Sequence, residues 1–132
     1  MHSRTVLAFV TLASLVACGG GSQPVQPRYQ PEIVNAPDSF SFQLTGVQNG
    51  DGTLSYTWHN TGTLASVDRS SLITSGSVTL TVRDAANAEV YLQPLRDASG
   101  SVDTGPGTAG DWTIVVDFAQ ATGTINFRAQ KK

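Results

Sequence analysis

The chain has 132 residues, 14% of them charged and 39% hydrophobic, and a formal net charge of -2. That length buries one core, the hydrophobic share is too low for a multi-span membrane protein, and Lys131-Lys132 is the sole basic cluster, which argues against nucleic acid as a partner. A single cysteine, Cys18, excludes an intramolecular disulfide framework, so the fold must rest on its core and its sheet pairing.

The first elements in chain order are those of an export signal. Met1-His2-Ser3-Arg4 is a short basic region, and Thr5 to Val16 is an apolar run of about a dozen residues, shorter than the roughly 20 of a spanning helix. Leu15-Val16-Ala17-Cys18 then resembles the lipobox of bacterial lipoproteins. The resemblance implies removal of a signal peptide, residues 1–17, by cleavage between Ala17 and Cys18. It also implies a diacylglyceryl thioether on Cys18 and acylation of the freed amine. Each buried methylene contributes about 0.8 kcal/mol, so one chain binds marginally and two or three anchor stably. Gly19, in place of an aspartate, resembles the pattern of lipoproteins sent to the outer membrane in enteric-type bacteria. The expected location is therefore the bacterial cell envelope, lipid-anchored at the outer membrane, with the bilayer as a partner through acylated Cys18.

Residues 18–37 read as a lipidated, flexible and disordered tether. Gly19-Gly20-Gly21-Ser22 gives a coil, and Pro24, Pro27, Pro31 and Pro37 stiffen the remainder of the segment. A first strand through Ile33 and Val34 is the alternative for its last few residues.

Residues 38–132 read as one β-sandwich domain. Phe40, Phe42 and Leu44 alternate with polar residues, Asn49-Gly50-Asp51-Gly52 supplies turn chemistry, and Leu54, Tyr56 and Trp58 resume the alternation, which predicts a hairpin. A weaker strand holds Ala65 and Val67. Val78, Leu80 and Val82 turn through Asp84 to Asn87 into a strand at Val90 to Leu95, a second hairpin. Arg96 to Gly110 has no period and reads as a loop. Trp112, Ile114, Val116 and Phe118 form another strand, and Ala121-Thr122-Gly123 turns into the last, with Ile125, Phe127 and Ala129 on one face. About seven short strands predict an all-β fold, a single antiparallel sandwich of jelly-roll or immunoglobulin-like type.

Gly110-Asp111-Trp112-Thr113-Ile114-Val115-Val116 with Gly123-Thr124-Ile125 resembles the closing hairpin of the P-domain and prepeptidase C-terminal jelly-roll modules of secreted proteases. Phe118 stands where those modules carry an acid, and no tryptophan lies near Phe127, so the resemblance implies a fold only. The order from Val78 through Asp84, Tyr91 and Trp112 to Asn126-Phe127 also resembles small bacterial lipoproteins from which no activity carries over.

A catalytic set is not legible. His59 is the one histidine after the leader and no serine sits in a GxSxG elbow, which predicts a strand-end histidine rather than a triad base. His59 without a second soft ligand cannot form a structural zinc site. Asp97, Asp103 and Asp111 lie in or beside one glycine-rich stretch and are the candidate calcium ligands, although their spacing matches no EF-hand and solvated loop acids are the plainer reading. Tyr56, Trp58 and Trp112 share the parity of core residues. Tyr91 has the opposite parity from Val90 and Leu92, which predicts an exposed ring and makes it, with His59, a candidate binding residue. The expectation is a non-enzymatic interaction or structural module, without a cofactor, that contacts another envelope protein or a glycan. A carbohydrate- or calcium-binding jelly roll is the alternative, and a small hydrolase using His59 the third.

Overall fold

In the computed structural model residues 23–26 and 28–132 are described, so the expected signal peptide, the Ala17/Cys18 cleavage and lipidation site and Gly19 to Ser22 lie outside the described residues. Period-two alternation makes strands of nearly all the rest, and no helix occurs among the described residues. The strands are β1 (Gln23–Pro24), β2 (Glu32–Ala36), β3 (Ser39–Asn60), β4 (Ala65–Ser70), β5 (Leu72–Arg83), β6 (Glu89–Pro94), β7 (Ser99–Asp103) and β8 (Gly110–Lys131). They form one continuous sheet, antiparallel except where β1 runs parallel to β3.

The all-β antiparallel sandwich expected from the sequence is the fold that forms, but two strands build most of it. β3 and β8 each run for 22 residues and pair along nearly their whole length, from Ser39↔Gln130 to Asn60↔Gly110. Both bend near the middle, where the register shifts between Leu44 and Gly52, and the sheet folds over on itself. One layer holds β2, the first half of β3, the second half of β8, β4 and β7; the other holds the remaining halves of β3 and β8 with β5 and β6. Across the core the Phe40 and Phe42 rings meet Tyr56 at 5.6 and 6.1 Å.

Several expectations are corrected here. Asn49-Gly50-Asp51-Gly52 is not a hairpin turn but the bulged bend of β3, whose two halves pair with β8 and not with each other. Ala121-Thr122-Gly123 is likewise the bend of β8. The predicted 18–37 tether ends much earlier, because β2 pairs with β3 over five residues and Val25 is buried against the bend. The true tight turn is Pro37-Asp38, with Asp38 at a φ of 66°, the sign that the second central position of a type II turn requires. The expected 96–110 loop contains strand β7. Only the β5–β6 hairpin forms as read, and a register shift between Val82 and Arg83 sets Tyr91 opposite inward-facing Val82. Tyr91 is therefore buried, at 5% exposure, whereas Leu92 is 52% exposed, the reverse of the parity argument.

The bends carry the backbone demands of the fold. Apolar parity in β8 changes from even (Trp112 to Phe118) to odd (Ile125 to Ala129), which needs an inserted residue, and Gln120 and Gly123 have φ of 48° and 140° there. β5 passes so close that a Cβ on Gly123 would sit 2.1 Å from the Leu72 carbonyl oxygen, and one on Gly76 would sit 2.1 Å from that of Gln120. Phe42 and Phe127 stack at 5.1 Å in one layer, and Trp58 and Trp112 meet edge to face at 5.9 Å in the other.

Buried Asp84 ties the β5–β6 turn to the segment before β8. Its carboxylate accepts from the backbone N–H groups of Ala86, Ala88 and Thr108 at 3.0, 2.8 and 2.8 Å. The Thr108 amide foremost, then that of Ala88, holds its pKa below the usual 3.8 against the opposing effect of burial. The folded protein thus keeps this charge where the unfolded chain takes up a proton. The stabilisation is complete above the unfolded value of about 3.8 and is lost as pH falls through the lower folded value. Asp84→Asn is expected to lower the thermal midpoint at neutral pH by about 5–10 °C and to flatten the fall in midpoint below pH 4, read by melting curves from about pH 7 to 2.5.

Candidate functional site

The residues singled out from sequence do not converge. His59 and Asp111 face each other across the open end of β3 and β8, with Nδ1 2.9 Å from Oδ1 and side chains 53% and 71% exposed. No hydroxyl is hydrogen-bonded to the ring among the described residues. The pair sits in bulk water, where its mutual attraction is weak. His59→Ala is expected to change stability by less than about 0.5 kcal/mol, as urea unfolding would show.

The calcium candidates are separated by the strands between them. Asp97 lies near Arg96, Asp103 pairs with Lys132, and Asp111 is engaged by His59. No group of three or more metal-ligating side chains occurs among the described residues. Tyr91, expected at the surface, has its hydroxyl buried without a hydrogen-bond partner among the described residues. Burial raises its pKa, and the nearby Arg69 guanidinium, engaged with the carbonyls of Ser99 and Gly100, opposes that rise. It cannot serve as a binding ring.

The outer face of the other layer does converge. Here three neighbouring strands contribute two rows in register: Glu32, Gln43 and Asn126 in one, Val34, Ser41 and Arg128 in the next. The alternation that buries Phe40, Phe42, Ile125 and Phe127 turns these side chains outward. Together they line a cleft of about 290 Å³. Glu32 and Gln43 are shared with a second cleft of about 210 Å³, which continues past Arg28 and Tyr29. Each alone is smaller than most small-ligand sites, roughly 300–1,000 Å³, the first only just and the second clearly.

This face gathers several unengaged polar side chains around one cleft. Elsewhere many such side chains are tied to the fold: Asp38 accepts from Thr61, Asp84 from three amides, and Arg69 and Arg96 donate to carbonyls, although the register pair Arg83 and Glu89 on β5 and β6 is likewise unengaged. The side chains of Glu32, Gln43, Asn126 and Arg128 make no hydrogen bond or ion pair among the described residues. Even Asp68, the register partner of Arg128 on β4, forms no salt bridge with it and instead accepts from Ser101. Sequence reading missed this face because Glu32 and Val34 fell in the expected tether. The polar parity of Ser41, Gln43, Asn126 and Arg128 was visible, but which strands would lie side by side was not.

No protein-family model matches the chain, and no curated protein sequence matches it. Among solved structures, the chain is similar to an arabinose-bound α-L-arabinofuranosidase, MgGH51, at 17% identity and a TM-score of 0.36, over 76% of this chain and 21% of that one. The chain thus spans about a fifth of that enzyme, and a likeness this distant carries no functional argument.

Proposed function

We propose that the protein is a lipid-tethered, non-enzymatic β-sandwich of the bacterial cell envelope that presents its β2–β3–β8 face to another envelope component. The observation that carries this reading is the set of unengaged polar side chains in register on that face, beside His59 and Asp111 left in open solvent at the far end of the layer opposite. The tether part of the reading rests on Leu15-Val16-Ala17-Cys18 and on Gly19, which favour cleavage before Cys18 and an outer-membrane address. Acylation at Cys18 would leave only the few residues before β1 between bilayer and sheet, so the domain would stand close to the membrane surface.

The test is an intact mass and a membrane fractionation of the native protein beside Cys18→Ser. The native chain is expected to lack residues 1–17, to carry the mass of two or three acyl chains and to sediment with membranes, and the variant to do none of these. An unacylated native protein in the soluble fraction would overturn the anchor. A photo-crosslinker at Ser41 tests the face: envelope adducts are expected from there and not from Thr57 on the opposite layer.

A further inference from the structure

We infer that the paired clefts on the β2–β3–β8 face bind a short run of a neutral, hydroxyl-rich glycan. This rests on the reading of that face as an interaction surface and names its ligand class. The larger cleft offers one carboxylate, one guanidinium, two primary amides and one hydroxyl, contributed by Glu32, Arg128, Gln43, Asn126 and Ser41. Such a set has both donors and acceptors, and Glu32 and Arg128 offset each other in the larger cleft, while Arg28 adds one positive charge at the end of the second. A polyanion would meet Glu32 and a polycation would meet Arg128. A sugar hydroxyl, which donates and accepts at once, meets all five groups without leaving a charge unpaired.

The spacing fits the same chemistry. Glu32 and Arg128 stand on β2 and β8 with β3 between them and in adjacent rows, more than two strand spacings or roughly 10 Å apart at the backbone, and no ion pair joins them across the cleft. Planar carboxylate, amide and guanidinium groups can each take two adjacent hydroxyls side by side. Val34, at 64% exposure, supplies the apolar contact that the C–H face of a sugar ring needs, and it lies in the same row as Ser41 and Arg128. The second cleft extends this trough from Glu32 and Gln43 to Arg28, whose guanidinium lies over the core-packed Tyr29 ring at 5.7 Å, giving a polar second position for the next sugar along a chain.

The experiment is an NMR titration of the native protein, as isolated and in nanodiscs, with cellotetraose, tetra-N-acetylchitotetraose and maltotetraose, each to about 10 mM, since an open cleft of this size predicts a Kd on the order of 0.1–1 mM. At least one of the three is expected to shift the backbone amides of Val34, Gln43, Asn126 and Arg128. Arg128→Ala and Asn126→Ala, both with outward side chains, should each weaken that binding about tenfold with the melting midpoint unchanged. The inference is overturned if none of the probes shifts this face, if the shifts lie elsewhere, or if both variants bind as the native protein does. Protein adducts from the Ser41 crosslinker combined with silence from all three sugars would remove the glycan and keep the interaction surface. Silence in both experiments would remove both.

Discussion

Gly123→Ala is expected to cost about 4 kcal/mol or more, a large part of the 5–15 kcal/mol by which a domain of this kind is stable. Two effects combine at this position. A φ of 140° is a conformation that residues with a Cβ avoid, at about 1–3 kcal/mol. The added carbon would also lie 2.1 Å from the Leu72 carbonyl oxygen and 2.9 Å from the Ile73 Cα, both backbone atoms that cannot rotate aside. Relief requires β5 to leave β8 at Leu72↔Thr124 and Ile73↔Gly123, and the bend of β8 would open with it. Gly46→Ala is the matching control: its φ of 68° is also positive, but nothing lies within 4 Å of the added carbon, so only the backbone cost of about 1–2 kcal/mol should appear. Urea unfolding of the two variants should separate them by about 2 kcal/mol or more; equal losses would show that the close approach of β5 is not what the glycine protects.

Trp112→Ala is expected to be as damaging, at about 3–5 kcal/mol. The indole is fully buried, meets Trp58 edge to face at 83°, and donates from Nε1 to the Thr108 carbonyl at 2.8 Å. The Thr108 carbonyl also accepts from the Ala85 amide at 3.2 Å, so it keeps a partner, and the loss is mainly one of packing. Trp112→Phe should therefore cost only about 1–2 kcal/mol, and the double variant Trp58→Ala/Trp112→Ala should lose less than the sum of the single losses, because each leaves the other ring half unpacked. Additive losses in urea melts would mean that the two indoles do not support each other.

The inward face of this protein was open to view in its sequence because burial enforces period two wherever a strand covers a core. Phe40 to Leu44, Trp112 to Phe118 and Ile125 to Ala129 all lie inside as their alternation predicts. Two features escaped for a physical reason. Turn chemistry at Asn49 to Gly52 signals that the chain departs from regular extension, but it does not say whether the chain reverses or only bulges, and that depends on β8, some seventy residues away, running alongside. Tyr91 escaped because a single inserted residue on β6 changes every later assignment of faces. The polar face suffered from the same limit: its members come from positions 32 to 128, and only the pairing of β2, β3 and β8 makes them neighbours.

The seating of Val25 against the bend of β3 has a mechanical consequence. Gln23 and Pro24 pair with Gly50 and Asp51, and the Val25 amide donates to the Asp51 carbonyl, so tension arriving from the amino-terminal side meets this short clasp before it reaches β2. Pulling would first peel those few contacts away, lengthening the leash while the five-residue ladder of β2 stays closed. The clasp would yield as a fuse does, absorbing a tug while the sheet behind it keeps its shape.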